Sequence, residues 1–304
     1  MTNLIRAGLW RLMHSRALLL ALLAAALYAL NAPFSKLLLS AVAPTMMAAL
    51  LYLGAGLGMG AAGLLRRQRP EPLVGKRRYV AGMVLLDIAA PICLMMGLRT
   101  ASAAHTALLN NFELAATAVI AMAVFGEPIS PRLWRAIALV TAACAMLSFE
   151  DISSLTFSAG SPLILLASLC WGLENNCTRM LSSGDPLRVV VVKGVGAGLG
   201  SLVIALISGE PLPPAGLAGA ALVLGFFAYG LSILCYVRAQ RDLGAARTGA
   251  CYAAAPFLSA LLSLAVFRQM PNAAFFSALP VMAAGVALTV ADSCRTAETI
   301  CGAQ

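Results

Sequence analysis

Charge is what this chain has least of. Asp, Glu, Lys and Arg make up 11% of its 304 residues, against about a quarter in an ordinary soluble domain, so a soluble globular fold is excluded. Eight cysteines contain no CxxC pair, and their scatter (Cys93, Cys144, Cys170, Cys177, Cys235, Cys251, Cys294 and Cys301) reads as small apolar packing residues, with neither a zinc site nor a disulfide framework implied. HExxH, GxSxG and a Walker A sequence are also missing, the last even in the glycine-rich stretch after Lys193. No enzyme class finds its motif here and no cofactor or metal is implied.

What is present is apolar sequence. Hydrophobic residues make up 61%, in continuous runs with no period-two alternation, which points to membrane helices and not to a barrel. About 20 such residues span a bilayer, and ten segments qualify: 17–39, 43–65, 79–98, 101–125, 133–149, 161–181, 189–208, 217–237, 245–267 and 274–291. The expected fold is all-α and integral to the membrane. The first run follows Arg6, Arg11 and Arg16 and resembles a secretory signal, but it resumes through Leu37 to Leu39 and is read as an uncleaved span.

The formal charge of +9 is gathered at span ends. RRQRPEPLVGKRR, Arg66 to Arg78, holds six bases between the second and third spans. The positive-inside rule places this loop, both termini, Arg132, Arg135, Arg188, Arg238 and Arg241 in the cytoplasm, with Glu150, Asp151 and Glu210 outside. The charge then calls for a lipid bilayer and no nucleic acid.

Displaced by 142 positions, the chain matches itself. GAGLG occurs at Gly54 to Gly58 and again at Gly196 to Gly200; Ala103, Ala104 and Thr106 fall on Ala245, Ala246 and Thr248; with one residue of slip YALNAPFSK meets WGLENNCTR. Such matches in one order indicate duplication. The expected organisation is a cytoplasmic segment 1–16, a five-helix repeat 17–149, a second repeat 160–291 and a cytoplasmic tail 292–304. An odd number of spans inverts the second unit, an arrangement of secondary transporters whose binding site lies between the halves near the midplane.

Polar residues inside the spans mark the candidate site. Asp87, Glu113 and Glu174 fall near mid-span, where a carboxylate is costly and usually faces a cavity or a partner. Thr106, Asn110, Glu113 and Thr117 recur at helical spacing, as do Trp171, Glu174, Asn175 and Thr178, and Tyr28, Asn31 and Ser35. Tyr28, Trp171, Tyr229, Tyr236 and Tyr252 are candidates to stack on a substrate. Pro33, Pro91 and Pro256 remove backbone hydrogen bonds within spans and invite kinks. Lys36 and Arg179 either snorkel or pair with an acid, and His105 sits near the start of the fourth span.

VFGEPIS at Val124 to Ser130, LGAARTGACYAAAPFLSALLSLAVF from Leu243, WGLENNCTRMLSSGDP followed by VVVVKGVGAG, and LLNNFELAATAVIA resemble the EamA-type branch of the drug/metabolite transporter superfamily. The resemblance runs from about Leu18 to Ala291. It implies alternating access around a cavity lined mainly by spans one, three, four, six, eight and nine. One departure is visible: Gly126 and Glu127 have Arg268 and Gln269 as their counterparts.

The expected activity is secondary active transport, in the export direction, of a small metabolite, amino acid or drug-like compound across the inner (cytoplasmic) membrane, by a monomer or homodimer. Substrate-binding candidates are Tyr28, Asn31, Asp87, Asn110, Glu113, Trp171, Glu174, Asn175, Tyr229 and Tyr252, with Glu113 and Glu174 as sites for a coupling proton or cation. The alternative on the same fold is a flippase for a lipid-linked substrate.

Overall fold

In a computed structural model, residues 2–65, 76–126, 129–147, 149–151, 156–181, 185–243, 248, 251–268 and 270–302 are described. The basic loop from Arg66 to Gly75, Ala245, Ala246, Glu127 and Gln269 lie outside the described residues. The helices of the first part are α1 (Thr2–Ala29), α2 (Asn31–Leu38), α3 (Pro44–Leu65), α4 (Arg77–Thr100), α5 (Ala103–Leu109), α6 (Phe112–Phe125) and α7 (Pro131–Leu147). Two short antiparallel strands, β1 (Phe149–Asp151) and β2 (Thr156–Phe157), link them to the second part. There follow α8 (Ser161–Leu181), α9 (Pro186–Ile207), α10 (Ala215–Gly225), a π-helical segment (Phe226–Leu231), α11 (Ser232–Leu243), α12 (Ala255–Phe267) and α13 (Ala273–Gly302).

Among the described residues, 7 helical stretches are long and apolar enough to cross a membrane: Arg16–Leu38, Pro44–Leu64, Arg77–Thr100, Ala103–Val124, Pro186–Ile207, Ala215–Ala239 and Ala273–Asp292. The sequence pattern marks three more. Of these, α7 has 17 residues and α12 has 13, the latter about 20 Å at 1.5 Å per residue and short of a ~30 Å core. The third, α8, is long enough but carries Glu174, Asn175, Asn176 and Arg179 in its second half.

Small and large apolar residues separate onto opposite helix faces. On α1, Ala17, Ala21, Ala24 and Ala25 are buried against protein, whereas Leu18, Leu19, Leu22 and Leu23 face outward. Leu199, Val203, Leu206 and Ile207 form the outward face of α9. In a membrane such outward leucine and valine lie against lipid, and alanine on the inner face lets backbones approach for van der Waals contact.

The closest approach is made by glycine. A Cβ on Gly54 would lie 2.0 Å from the Leu222 carbonyl oxygen, and one on Gly225 2.0 Å from that of Leu51, so α3 and α10 meet backbone to backbone. Gly56 and Gly194 do the same between α3 and α9. Gly196 and Gly200 of the second GAGLG meet Val84 and Ile88 of α4.

Four elements are broken at mid-height. The first breaks at Leu30, where the missing N–H of Pro33 ends the α1 ladder and restarts it as α2. The second breaks at Asn110 and Asn111, where the Asn111 amide donates to the Leu108 carbonyl and i→i−3 bonds replace the α pattern. The third widens into the π turn of Phe226–Leu231. The fourth turns at Ala253 and Ala254 before Pro256 opens α12. Pro91 has no such effect, since α4 runs through it.

Candidate functional site

Those four breaks hold four of the site's polar residues. Asn31 follows the first, Asn110 lies in the second, Tyr229 in the π turn and Tyr252 beside the fourth. A broken ladder turns side chains off the regular stripe and into the bundle. The Asn31 amide donates to the Tyr229 hydroxyl at 2.9 Å, and the Asn110 amide to the Tyr28 hydroxyl at 3.1 Å. Ser168 of α8 donates to the Asn110 carbonyl oxygen at 3.4 Å.

The rings form a continuous array. Centroids lie 5.1 Å apart for Tyr52 and Tyr229, 6.0 Å for Tyr229 and Tyr28, 5.7 Å for Tyr28 and Tyr252, and 5.0 Å for Tyr252 and Tyr236. Five of the chain's 6 tyrosines take part. Edge and tilted contacts at these separations are the favoured geometries for aromatic pairs. On one side of the array lies a small cavity lined by Asn31, Leu94, Thr106, Asn110, Pro256 and Ser259, with room for water.

On the other side lie the charges. Asp87 Oδ1 accepts from the Tyr52 hydroxyl at 2.9 Å and from Trp171 Nε1 at 3.2 Å. Lys193 Nζ lies 3.2 Å from Asp87 Oδ2 and 2.9 Å from Glu174 Oε2. Thr178, one turn on, donates to Glu174 Oε1. Glu113 belongs to a separate pair across α6 and α8, accepting from Asn175 Nδ2 at 2.7 Å.

All ten candidate residues thus fall in one region, but in two settings. Asp87 and Glu174 are ion-paired and closed off; Glu113, half buried, accepts a hydrogen bond from the Asn175 amide. The hydroxyls of Thr106 and Thr117 return to carbonyls of their own helices, those of Ser102 and Glu113, so on these stripes only the larger groups reach across. Lys36 settles on the carbonyls of Leu98, Arg99 and Ala101, closing the C-terminal end of α4 instead of meeting an acid. His105 meets Ser102 and Asn272 at the same end.

Sequence reasoning missed Lys193 and Tyr52. For Lys193 a signal existed: it precedes Gly196 and Gly200 by three and seven positions, so it shares the face on which those glycines meet α4. A lysine on a glycine-packed face looks into protein, not lipid. Tyr52 had no such mark, being one aromatic in an apolar run.

An apolar helical bundle with its charges sealed at mid-height is built as a multi-pass membrane protein. A sequence model described as the EamA-like transporter family matches twice, over residues 15–149 and 158–291, and the chain belongs to that family of transporters. An uncharacterized transporter of Methanothermobacter thermautotrophicus is 22% identical over 264 residues, 80% of this chain and 76% of that one. The uncharacterized transporter YyaM of Bacillus subtilis is 24% identical over 180 residues, 56% of this chain and 59% of its own. A solved crystal structure with 20% identity has a TM-score of 0.64 and covers 90% of this chain and 96% of its own, a likeness of fold.

Proposed function

We propose that the chain is a secondary active transporter that exports a small polar or amphipathic compound across the cytoplasmic membrane, with protons as the driving ion. The observation that carries the reading is the meeting of polar side chains from both halves in one buried network, with tyrosines between a neutral cavity and a charged cluster. Tyr28, Asn31, Asn110, Tyr229 and Tyr252 would orient the cargo, Trp171 and Asn175 would hold the acids, and Glu113 and Glu174, beside Asp87, would exchange the proton.

Two inverted five-helix units, 17–149 and 160–291, account for ten spans, with both termini in the cytoplasm. The packing supports this reading. Helices α4 and α8 pair as α11 and α1 do; α6 lies on α8 as α12 lies on α1; α3 meets α9 and α7 meets α13 across the implied axis. Exchange of the units interchanges the first two pairs of contacts and turns the last two into themselves. The contacts of Gly56 with Val195 and of Gly198 with Leu53 are related by the same 142-residue displacement.

The test has two steps. A thermal-shift screen of amino acids, amines, nucleosides and organic anions on purified protein identifies binders, since a ligand stabilises the state it binds. Flux of the best binder into proteoliposomes is then measured with and without a pH gradient. Glu113→Gln and Glu174→Gln are expected to lose gradient-driven flux; wild-type rates with unchanged pH dependence in both variants would sink the assignment.

A further inference from the structure

Lys193 is unused in that reading, yet it is the cation at the centre of the charged cluster. Its ammonium, with the side chain 14% exposed, lies between the carboxylates of Asp87 and Glu174, exposed by 0% and 1%. Two carboxylates against one ammonium leave one surplus negative charge.

Among the described residues, the groups bonded to the triad's carboxylates do not cancel it. Tyr52 from α3 and Trp171 from α8 donate to Asp87 as neutral groups, Thr178 does so to Glu174, and Tyr229 of the π turn stacks on Tyr52. Glu113 of α6, held by Asn175, adds a further acid. One atom is held less well than the rest: among the described residues, buried Asp87 Oδ2 has only the Lys193 ammonium beside it, at 3.2 Å and off hydrogen-bond geometry. A surplus negative charge is unfavourable in a low-dielectric interior, and a proton on that oxygen removes the charge.

The same place in the other half is built without charge. At a displacement of 142, Asp87 falls on Tyr229 and Leu51 on Lys193; with the one-residue slip, Asn31 falls on Glu174 and Ser35 on Thr178. There Asn31 donates to Tyr229, and Ser35 donates to Asn31 just as Thr178 donates to Glu174. The neutral version joins equivalent helices, so packing alone does not demand an aspartate, a glutamate and a lysine.

We propose that Asp87, Glu174 and Lys193 form a unit that binds a single proton, on Oδ2 of Asp87, and that Lys193 is the positioning residue that separates its two states. Proton binding forms the O–H bond on Oδ2 from water at one membrane face and leaves Lys193 paired with Glu174 alone. Release breaks that bond, returns the proton to water at the other face, and shares Lys193 between α4 and α8. The inference rests on the proton-driven reading, and it moves the proton from Glu113 to the triad, leaving Glu113 to meet the cargo.

The test needs no substrate. Infrared difference spectra of the full chain in lipid vesicles, stepped in pH, report the C=O stretch of protonated carboxylic acids. One titrating band is expected, lost in Asp87→Asn, kept in Glu113→Gln and kept in Lys193→Arg. In Lys193→Met both carboxylates lack a counter-charge, and the band should grow about twofold. Should Asp87→Asn fail to fold, Asp87→Glu must shift the band frequency. A band that survives Asp87→Asn, that ignores Asp87→Glu, that disappears in Glu113→Gln alone, or that is equal in Lys193→Met and wild type overturns the proposal. Loss in Glu113→Gln alone leaves proton-driven transport standing, whereas a band that behaves as expected without gradient-driven flux defeats the transport reading and not the triad.

Discussion

Arg268 ends α12 in the left-handed region, at φ 51°, and Gly126 ends α6 at φ 69°. The two are 142 positions apart, so one turn has been kept with two different residues. Glycine takes this conformation freely, while a residue with a Cβ is strained there by about 1–2 kcal/mol. Arg268 is exposed, and Arg268→Gly should therefore raise stability by roughly 0.5–1 kcal/mol, after the greater unfolded-state entropy of glycine is subtracted. Thermal unfolding in detergent measures it. The sequence makes this pair look like a lost signature, because identity changed where conformation did not. Lys193 illustrates the opposite case. Removing the ammonium by Lys193→Met leaves two buried acids without their cation, and a broken buried pair typically costs about 3–5 kcal/mol. Stability at neutral pH should fall accordingly in a denaturant or heat titration, and Lys193→Arg should fall less.

At the scale of helices, periodicity in the sequence foretold which faces are polar but not how the faces turn toward one another. The stripes of Asn110 with Glu113 and of Trp171 with Glu174 are straightforward helical spacings, and both lie in the observed network. The breaks at Asn110–Asn111 and in Phe226–Leu231 left no proline to announce them. At the first an asparagine side chain competes for a backbone carbonyl; the second follows directly on Gly225, where α10 lies backbone to backbone on α3. Since a Cβ at either glycine would stand 2.0 Å from a carbonyl oxygen of the facing helix, Gly54→Ala and Gly225→Ala should each force the helices apart and destabilise by about 1–3 kcal/mol. Gly216→Ala, with nothing within 4 Å of the new methyl, is the control that should be neutral or slightly stabilising.

At the scale of the molecule, the helices pack chiefly across the boundary between the two family-matched segments and not within them. Helix α3 leans on α9 and α10, α4 on α8, α7 on α13, and α1 on α11 and α12. Many polar contacts cross the same boundary: Asn31 with Tyr229, Asp87 with Trp171 and Lys193, Glu113 with Asn175, and Glu210, whose carboxylate receives the N–H groups of Thr45 and Met46 at the start of α3. The array of five tyrosines would lose three of its four ring contacts on separation of the halves, keeping only that of Tyr236 with Tyr252. Each half therefore buries its apolar faces mainly on the other, and the first half alone cannot satisfy Asp87 and Glu113, whose partners Lys193, Trp171 and Asn175 belong to the second, which in hydrocarbon is severely unfavourable. Split between Asp151 and Thr156, the two halves should each be degraded or aggregate when expressed singly. Co-expressed, they should co-purify and unfold together at close to the temperature of the intact chain. A lone half that elutes as a monodisperse species and unfolds cooperatively would show that the internal contacts of one unit suffice, and that the interface is a docking of two domains and not a shared core.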